Sequence, residues 1–378
     1  MGKKTPPLLP SGFGDVLPHA AEQRRHISTR IMDCFSRLGY AEVSPPLVEF
    51  EESLLAAGVG KALAHNTFRL MDPMTQRMLA VRADMTAQIA RLAQHRFPHA
   101  PRPLRLSYTG EVLRIKADRT SPDRQARQLG VELIGAETLV DDGEVALVAV
   151  TALTEAGVAN LSIDLCSPRL FDALVHGDPA QKIKLQAAVA AKDMDAVKAI
   201  PHANQGMLLA LLGIPLLAEG ARKQTLTKLS TSKDLPEVAR GMLAGLMELA
   251  ELLTATAPHV RVTIDPLEQR GFDYHEGMGF ALFSPNMRGE LGRGGRYRSG
   301  EKNGTLSTGV SLYLERVLQA IPPATAPDVV YVPKEYGFSA WLDLARGGTR
   351  AVMGRVASAD EKVVAAATTS IFSPSKKK

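Results

Sequence analysis

Between Leu104 and Glu137 two apolar runs, Leu104 to Ile115 and Leu129 to Ile134, are rich in strand formers and flank a polar segment holding Asp118, Thr120, Ser121, Pro122 and Asp123. That pattern predicts an antiparallel hairpin. It constrains the rest of the chain because Arg114, Arg127, Gln128 and Glu132 lie on the strands themselves. Charge in such a place needs either water or a partner. A half-solvated sheet satisfies the pattern as well as a ligand site does, so the hairpin alone leaves both readings open.

The remainder permits an ordinary, large, two- or three-domain protein: 378 residues, 45% hydrophobic, with a mean hydropathy of −0.04. No apolar run approaches a membrane span, and the start MGKKTPPLLP lacks the apolar core of a signal peptide, which predicts a cytoplasmic protein without membrane contact. Cys34 and Cys166 stand in separate apolar contexts, as small core residues rather than a disulfide or zinc framework. The net charge of +5 is a property of the tails. Five of the 45 basic residues are Lys3, Lys4, Lys376, Lys377 and Lys378, and the remaining 40 balance 40 acidic ones, so no global field steers a polyanion.

Along the chain, Ile27, Ile31, Cys34, Phe35 and Leu38 follow a helical period that ends at Gly39. A short strand over Tyr40 to Glu49 follows. Arg77 to Arg91 reads as strand, turn and helix, with Asp84 or Thr86 to cap the helix start. Asp142 to Ala156 predicts a helix closed by Gly157, and Asn160 to Cys166 a strand. From Pro168 to Pro258 Ala, Leu, Lys and Gln dominate at helical spacing, predicting an inserted helical domain. Strand-like sequence returns at Val260 to Ile264, Gly292 to Tyr297 reads as a tight turn, and Ser307 to Ile321 as a helix. Past Pro322 a Pro/Ala linker leads to a helix around Ser339 to Leu344, a strand near Val352 and a disordered SPSKKK tail. His95 and His99 are four apart, but Pro98 disfavours the helix that would join them, so no metal site is predicted.

The hairpin resembles the second signature motif of class II aminoacyl-tRNA synthetases, most closely its histidyl version. Gly110, Arg114, Arg124, Gln125, Gln128, Gly130 and Glu132 carry the match at the same spacing, while Lys116, Ala117 and Ala126 replace the family's Glu, Arg and Phe. Gly12 to Pro18 resembles the entry segment of that family, and Pro46 and Glu49 its first motif. Arg82, Asp84 and Thr86 resemble its R-P-E-G-T segment, with a shortened acid and Met85 for Gly. Arg270, Gly271, Phe272, Asp273 and Tyr274 resemble the histidyl-specific R-G-L-D-Y-Y signature, with His275 for the second Tyr. Gly309, Glu315 and Arg316 resemble the third motif, whose second Gly has become Tyr313.

The resemblance covers roughly Gly12 to Leu318 and implies an α+β fold: a class II synthetase-like antiparallel sheet flanked by helices, with a helical insertion. The implied layout is a core of residues 1–167 and 259–322, an insertion of 168–258, and a truncated C-terminal segment of 323–378, too short for that family's anticodon-binding domain. It also implies a histidine site made by Asp84, Thr86, Arg114, Gln128, Glu132, Arg270, Tyr274 and His275. Glu132 would face the imidazole, Arg270 the carboxylate, and Asp84 with Thr86 the ammonium. The four departures at Lys116, Ala117, Ala126 and Tyr313 all fall on the nucleotide side, so amino-acid recognition is kept where ATP recognition is damaged.

An active histidyl-tRNA synthetase and a tRNA-independent ligase both need ATP, which leaves a third reading. The chain is most similar to the regulatory subunits of ATP phosphoribosyltransferase, which implies no catalytic residue and no cofactor of its own. The implied partner is a short-form ATP phosphoribosyltransferase catalytic subunit, with L-histidine as effector, in a hetero-oligomer containing a homodimer of this chain and without tRNA.

Overall fold

The computed structural model describes residues 8–56, 59–117, 122–272, 274–299, 304–323, 329–332 and 336–353. The predicted hairpin residues Asp118, Thr120 and Ser121, together with Asp273 and the SPSKKK tail, lie outside them.

Eight strands form one sheet: β1 (Ala41–Glu42), β2 (Leu104–Leu113), β3 (Gln125–Ile134), β4 (Ser162–Cys166), β5 (Arg261–Ile264), β6 (His275–Phe283), β7 (Gly292–Ser299) and β8 (Thr305–Tyr313). Their order is β1-β2-β3-β8-β7-β6-β4-β5. Every pairing is antiparallel except the two at the edges, β1 with β2 and β4 with β5. The fold is therefore α+β, with the antiparallel part at its centre.

Side chains alternate across a strand, so partners in the ladder share a face. On β3, Leu129, Val131 and Leu133 are fully buried and point one way. That face packs against a helix over Leu139–Glu155, whose buried Val145, Ala149 and Leu153 complete the layer. Thr138 opens this helix with a capping box, its hydroxyl accepting from the Asp141 amide while the Asp141 carboxylate accepts from the Thr138 amide.

The even-numbered residues Gln128, Gly130, Glu132 and Ile134 face the other way. There the helix Thr86–His95 covers one end of the sheet, with Met85, Ile89 and Ala93 against Leu106, Tyr108, Val112 and Ile134. The charged positions of the hairpin that looked out of place thus belong to a second buried face.

Three predicted elements differ. Of the strand read over Tyr40 to Glu49, only Ala41–Glu42 joins this sheet, and Val48–Phe50 pairs in another. Gly292 to Tyr297 is part of β7, paired on both sides, rather than a turn. Ser307 to Tyr313 is strand β8, and only Leu314–Ala320 is helical. Thr308 and Val310 are β-branched, and two neighbouring strands satisfy the backbone of this segment, so tertiary pairing decides its conformation.

The stretch read as helical holds helices Leu170–Leu174, Pro179–Ala190, Met194–Ala199, Gln205–Gly213, Glu219–Ser230 and Glu237–Thr256. Cα packing places these and the sheet in one compact unit of residues 10–13 and 28–321. A smaller unit combines the start of the helix Pro18–Arg37 with residues beyond Pro322. In it, two short parallel strands, Val330–Val332 and Ala351–Met353, pack with helix Gly337–Arg346, and Arg350 pairs with Glu22. No helix of the described residues is long and apolar enough to cross a membrane.

Candidate functional site

Register brings the site together. Glu132 lies opposite Gly309 on β8, which lies opposite Gly295 on β7. One step along the same face, Gly130, Ser311 and Arg293 align, and one further step pairs Gln128 with Tyr313. Tyr108 joins from β2, opposite Gly130. The glycines make the room: a Cβ on Gly309 would stand 1.8 Å from Glu132 Oε2. Gly309→Ala is therefore expected to destabilise the fold by about 1–3 kcal/mol, read as a lower denaturant midpoint, because overpacking displaces a hydrogen-bonded buried carboxyl.

Glu132 is 1% exposed, and its two oxygens accept from the phenols of Tyr297 (2.7 Å) and Tyr108 (3.2 Å). Burial pushes its carboxyl up to about 8, against the pull of those phenols and of Thr86 and with a push from the charge of Asp84. At neutral pH it holds a proton. His275, 2% exposed, stacks on Tyr274 at 4.4 Å between ring centroids, and its Nδ1 is buried without a hydrogen-bond partner. Burial, with the nearby charges of Arg293 and Arg169, lowers its pKa to about 3 and keeps the ring neutral. Thr86, Glu132, Tyr274, His275, Arg293, Tyr297 and Ser311 line a cavity of only about 10 Å³, room for one water.

Of the eight residues expected at the site, Thr86, Glu132, Tyr274 and His275 line this cavity directly. Asp84 and Gln128 support it: Asp84 Oδ1 accepts from the Thr86 amide (2.8 Å) and Oδ2 from Gln128 Nε2 (2.9 Å), which also donates to Ser311 Oγ (2.6 Å). The N-cap position itself is Met85, without a side-chain cap bond, and Asp84, one residue before it, accepts from the first helical amide.

Arg114 does not reach the cavity. Its Nη2 donates to the Tyr313 hydroxyl (2.9 Å), and the guanidinium lies 5.0 Å from that ring. Arg316 lies 4.9 Å from the same ring, so the phenol is set between two arginines.

Arg270 is not brought in either. Its side chain is 67% exposed, with Nε and Nη2 both donating to the Glu268 carboxylate (3.0 and 2.6 Å). Burial alone would raise the pKa of Glu268, yet hydrogen bonds from the Arg270 side chain and backbone and the charge of Lys192 bring it to about 2.

Sequence reasoning missed Tyr108, Arg293, Tyr297 and Ser311. The signal was present for two of them: Arg293, Gly295 and Tyr297 repeat every second residue, the period of one strand face. A larger cavity of about 340 Å³ lies between the helices Glu219–Ser230 and Glu237–Thr256 and strand β5. Its lining includes an exposed Lys223–Glu251 pair, and it lacks the converging buried polar groups of the Glu132 site.

The family model described as histidyl-tRNA synthetase matches residues 12–317. A protein of Rhodospirillum centenum named ATP phosphoribosyltransferase regulatory subunit is 45% identical over 329 residues, 86% of this chain and 83% of its own. Among solved structures, the chain is similar to an ATP phosphoribosyltransferase regulatory subunit/histidyl-tRNA synthetase from Bacillus halodurans, with a TM-score of 0.79 and 23% identity over 97% of both chains. It is also similar to a chain of an ATP phosphoribosyl transferase complex from Thermotoga maritima, with a TM-score of 0.59 and 18% identity over 77% of this chain and 97% of that one. With the expected α+β architecture in place and a relative of this identity spanning most of its length, the chain belongs to the histidyl-tRNA synthetase family, on its branch of ATP phosphoribosyltransferase regulatory subunits.

Proposed function

We propose that this chain is the regulatory, non-catalytic partner of a short-form ATP phosphoribosyltransferase in histidine biosynthesis, and that it senses histidine in the pocket around Glu132. In this reading Glu132 meets the imidazole, Asp84 and Thr86 take the ammonium, and Tyr274 and His275 stack against the ligand. Gln128 and the Arg114–Tyr313 contact hold the floor. The complex forms as a hetero-oligomer around a dimer of this chain and needs no tRNA.

The observation that carries the reading is the contrast between the two halves of the site. On the amino-acid side one cavity is lined by a buried carboxyl and by an imidazole whose Nδ1 is buried without a partner. On the nucleotide side Tyr313 stands between Arg114 and Arg316, where the family needs a glycine.

The small cavity adds a physical reason for regulation. A histidine molecule cannot enter room for one water unless side chains part, so it binds a conformation different from the closed one. A ligand that favours one state over another is what an effector must be.

Mixing the two subunits tests this. Phosphoribosyl transfer to ATP should rise when this chain is added and fall with histidine, and by whatever factor histidine weakens substrate binding, about 5–150-fold for a coupling of 1–3 kcal/mol, reciprocity requires substrates to weaken histidine binding. Catalytic activity indifferent to this chain, or subunits that migrate separately at micromolar concentration, would remove the proposal.

A further inference from the structure

Resting on the histidine reading above, we infer that Arg293, and not Arg270, is the group that binds the ligand's carboxylate. Arg293 lines the cavity with Glu132, Tyr274 and His275, while Arg270 does not. On β7 it lies in the same rank as Ser311 and Gly130, one step of the shared face from the rank of Gly309 and Glu132.

The guanidinium is built into place. Nε donates to Glu290 (2.9 Å), Nη2 donates to Glu290 Oε2 (2.6 Å), and Nη1 donates to the Arg270 carbonyl (3.0 Å). It lies 5.3 Å from the centre of the Phe272 ring. Gly271, at φ +78°, admits it, since a Cβ there would stand 1.2 Å from Nη1. These bonds engage three of the five N–H groups of an arginine and leave one hydrogen on each terminal nitrogen. A remaining N–H on each terminal nitrogen of a rigid, charged fork suits a carboxylate.

Arg270, in contrast, would have to give up two charge-assisted bonds and leave Glu268, half-buried, with Lys192 at 3.8 Å as its remaining ion-pair partner among the described residues.

Histidinol, in which a neutral hydroxymethyl group stands in place of the carboxylate, is the probe. Calorimetry on the full chain should show wild type preferring histidine over histidinol by at least tenfold. Arg293→Met should weaken histidine at least tenfold and bring the ratio close to one, and Arg270→Met should leave the ratio unchanged. Arg293→Lys, which keeps a cation beside Glu290, guards against a folding defect and should retain part of the preference. A ratio unchanged by both Arg293 variants, or collapsed by Arg270→Met, overturns the assignment while leaving the histidine pocket standing. Wild type that binds neither ligand overturns the pocket reading, and the assignment with it.

Discussion

Supplied with histidine, ATP and pyrophosphate, the purified chain is expected to show no histidine-dependent exchange of pyrophosphate into ATP, and no charging of tRNA. In the activation reaction a carboxylate attacks the α-phosphorus of ATP and pyrophosphate leaves, while arginines neutralise the charge that develops. Two such arginines are present, but neither is available in the form the reaction needs. Arg114 donates to the hydroxyl of Tyr313, and both Arg114 and Arg316 lie over its ring, about 5 Å from its centre. The phenol therefore competes with phosphate for the same cations.

Elsewhere on that side Ala126 has no ring on which adenine can stack, and Lys116 and Ala117 offer neither the acid nor the second arginine of the family pattern. Stacking and charged contacts are worth about 1–3 kcal/mol each. Four losses of about 1.4 kcal/mol multiply to roughly ten-thousand-fold. Tyr313→Gly gives the informative contrast: it reopens space and removes the phenol that Arg114 donates to and that both guanidiniums lie over, so ATP binding should improve while exchange stays near background because the other three lesions remain. Exchange by wild type at the rate of a working synthetase, lost on Glu132→Gln, would show that the nucleotide half is intact after all.

How much of this was legible in the sequence differs from residue to residue for physical reasons. The pairing of β2 with β3 was legible because Leu129, Val131 and Leu133 alternate with Gln128, Gly130 and Glu132, and alternation is the signature of a strand with two different faces. The two strands that complete the pocket were not. Gly292 to Tyr297 holds three glycines, which favour turns when read locally. They are tolerated in β7 because Phe280, Leu312 and His275 side chains press against the positions where side chains would stand. Ser307 to Tyr313 was masked by the helix that follows it without a break.

The choice between Arg270 and Arg293 could not be made from a motif. It depends on Gly271 admitting one guanidinium and on Glu268 and Glu290 each capturing a different arginine, which are facts of packing between segments far apart in the chain.

The second large effect is expected at Glu132, and it depends on pH. Its carboxyl is raised to about 8 in the folded chain, while an unfolded glutamate titrates near 4.3. Between those values the folded state holds a proton that the unfolded state lacks, so stability falls as pH rises, by about 1.4 kcal/mol per pH unit at most. His275 acts in the opposite sense but lower: its pKa of about 3 against an unfolded 6.5 costs stability only as pH drops below 6.5. The window from pH 6.5 to 8 therefore isolates Glu132, and Glu132→Gln should flatten the decline there.

Histidine binding obeys the same bookkeeping. In that window the empty pocket carries one proton and the free imidazole none, and the complex keeps that one proton between carboxyl and ring, so affinity is level. Above pH 8 binding must take up a proton and affinity falls about tenfold per unit. Glu132→Gln removes a charge-assisted hydrogen bond worth about 1.5–3 kcal/mol, so histidine affinity at pH 7 should drop about 10–150-fold. The variant should also lose the extra decline that wild type shows between pH 8 and 9, a difference that cancels any titration of the ligand's own amine. Equal affinities of wild type and Glu132→Gln at pH 7, or identical slopes above pH 8, would mean that the imidazole does not meet this carboxyl.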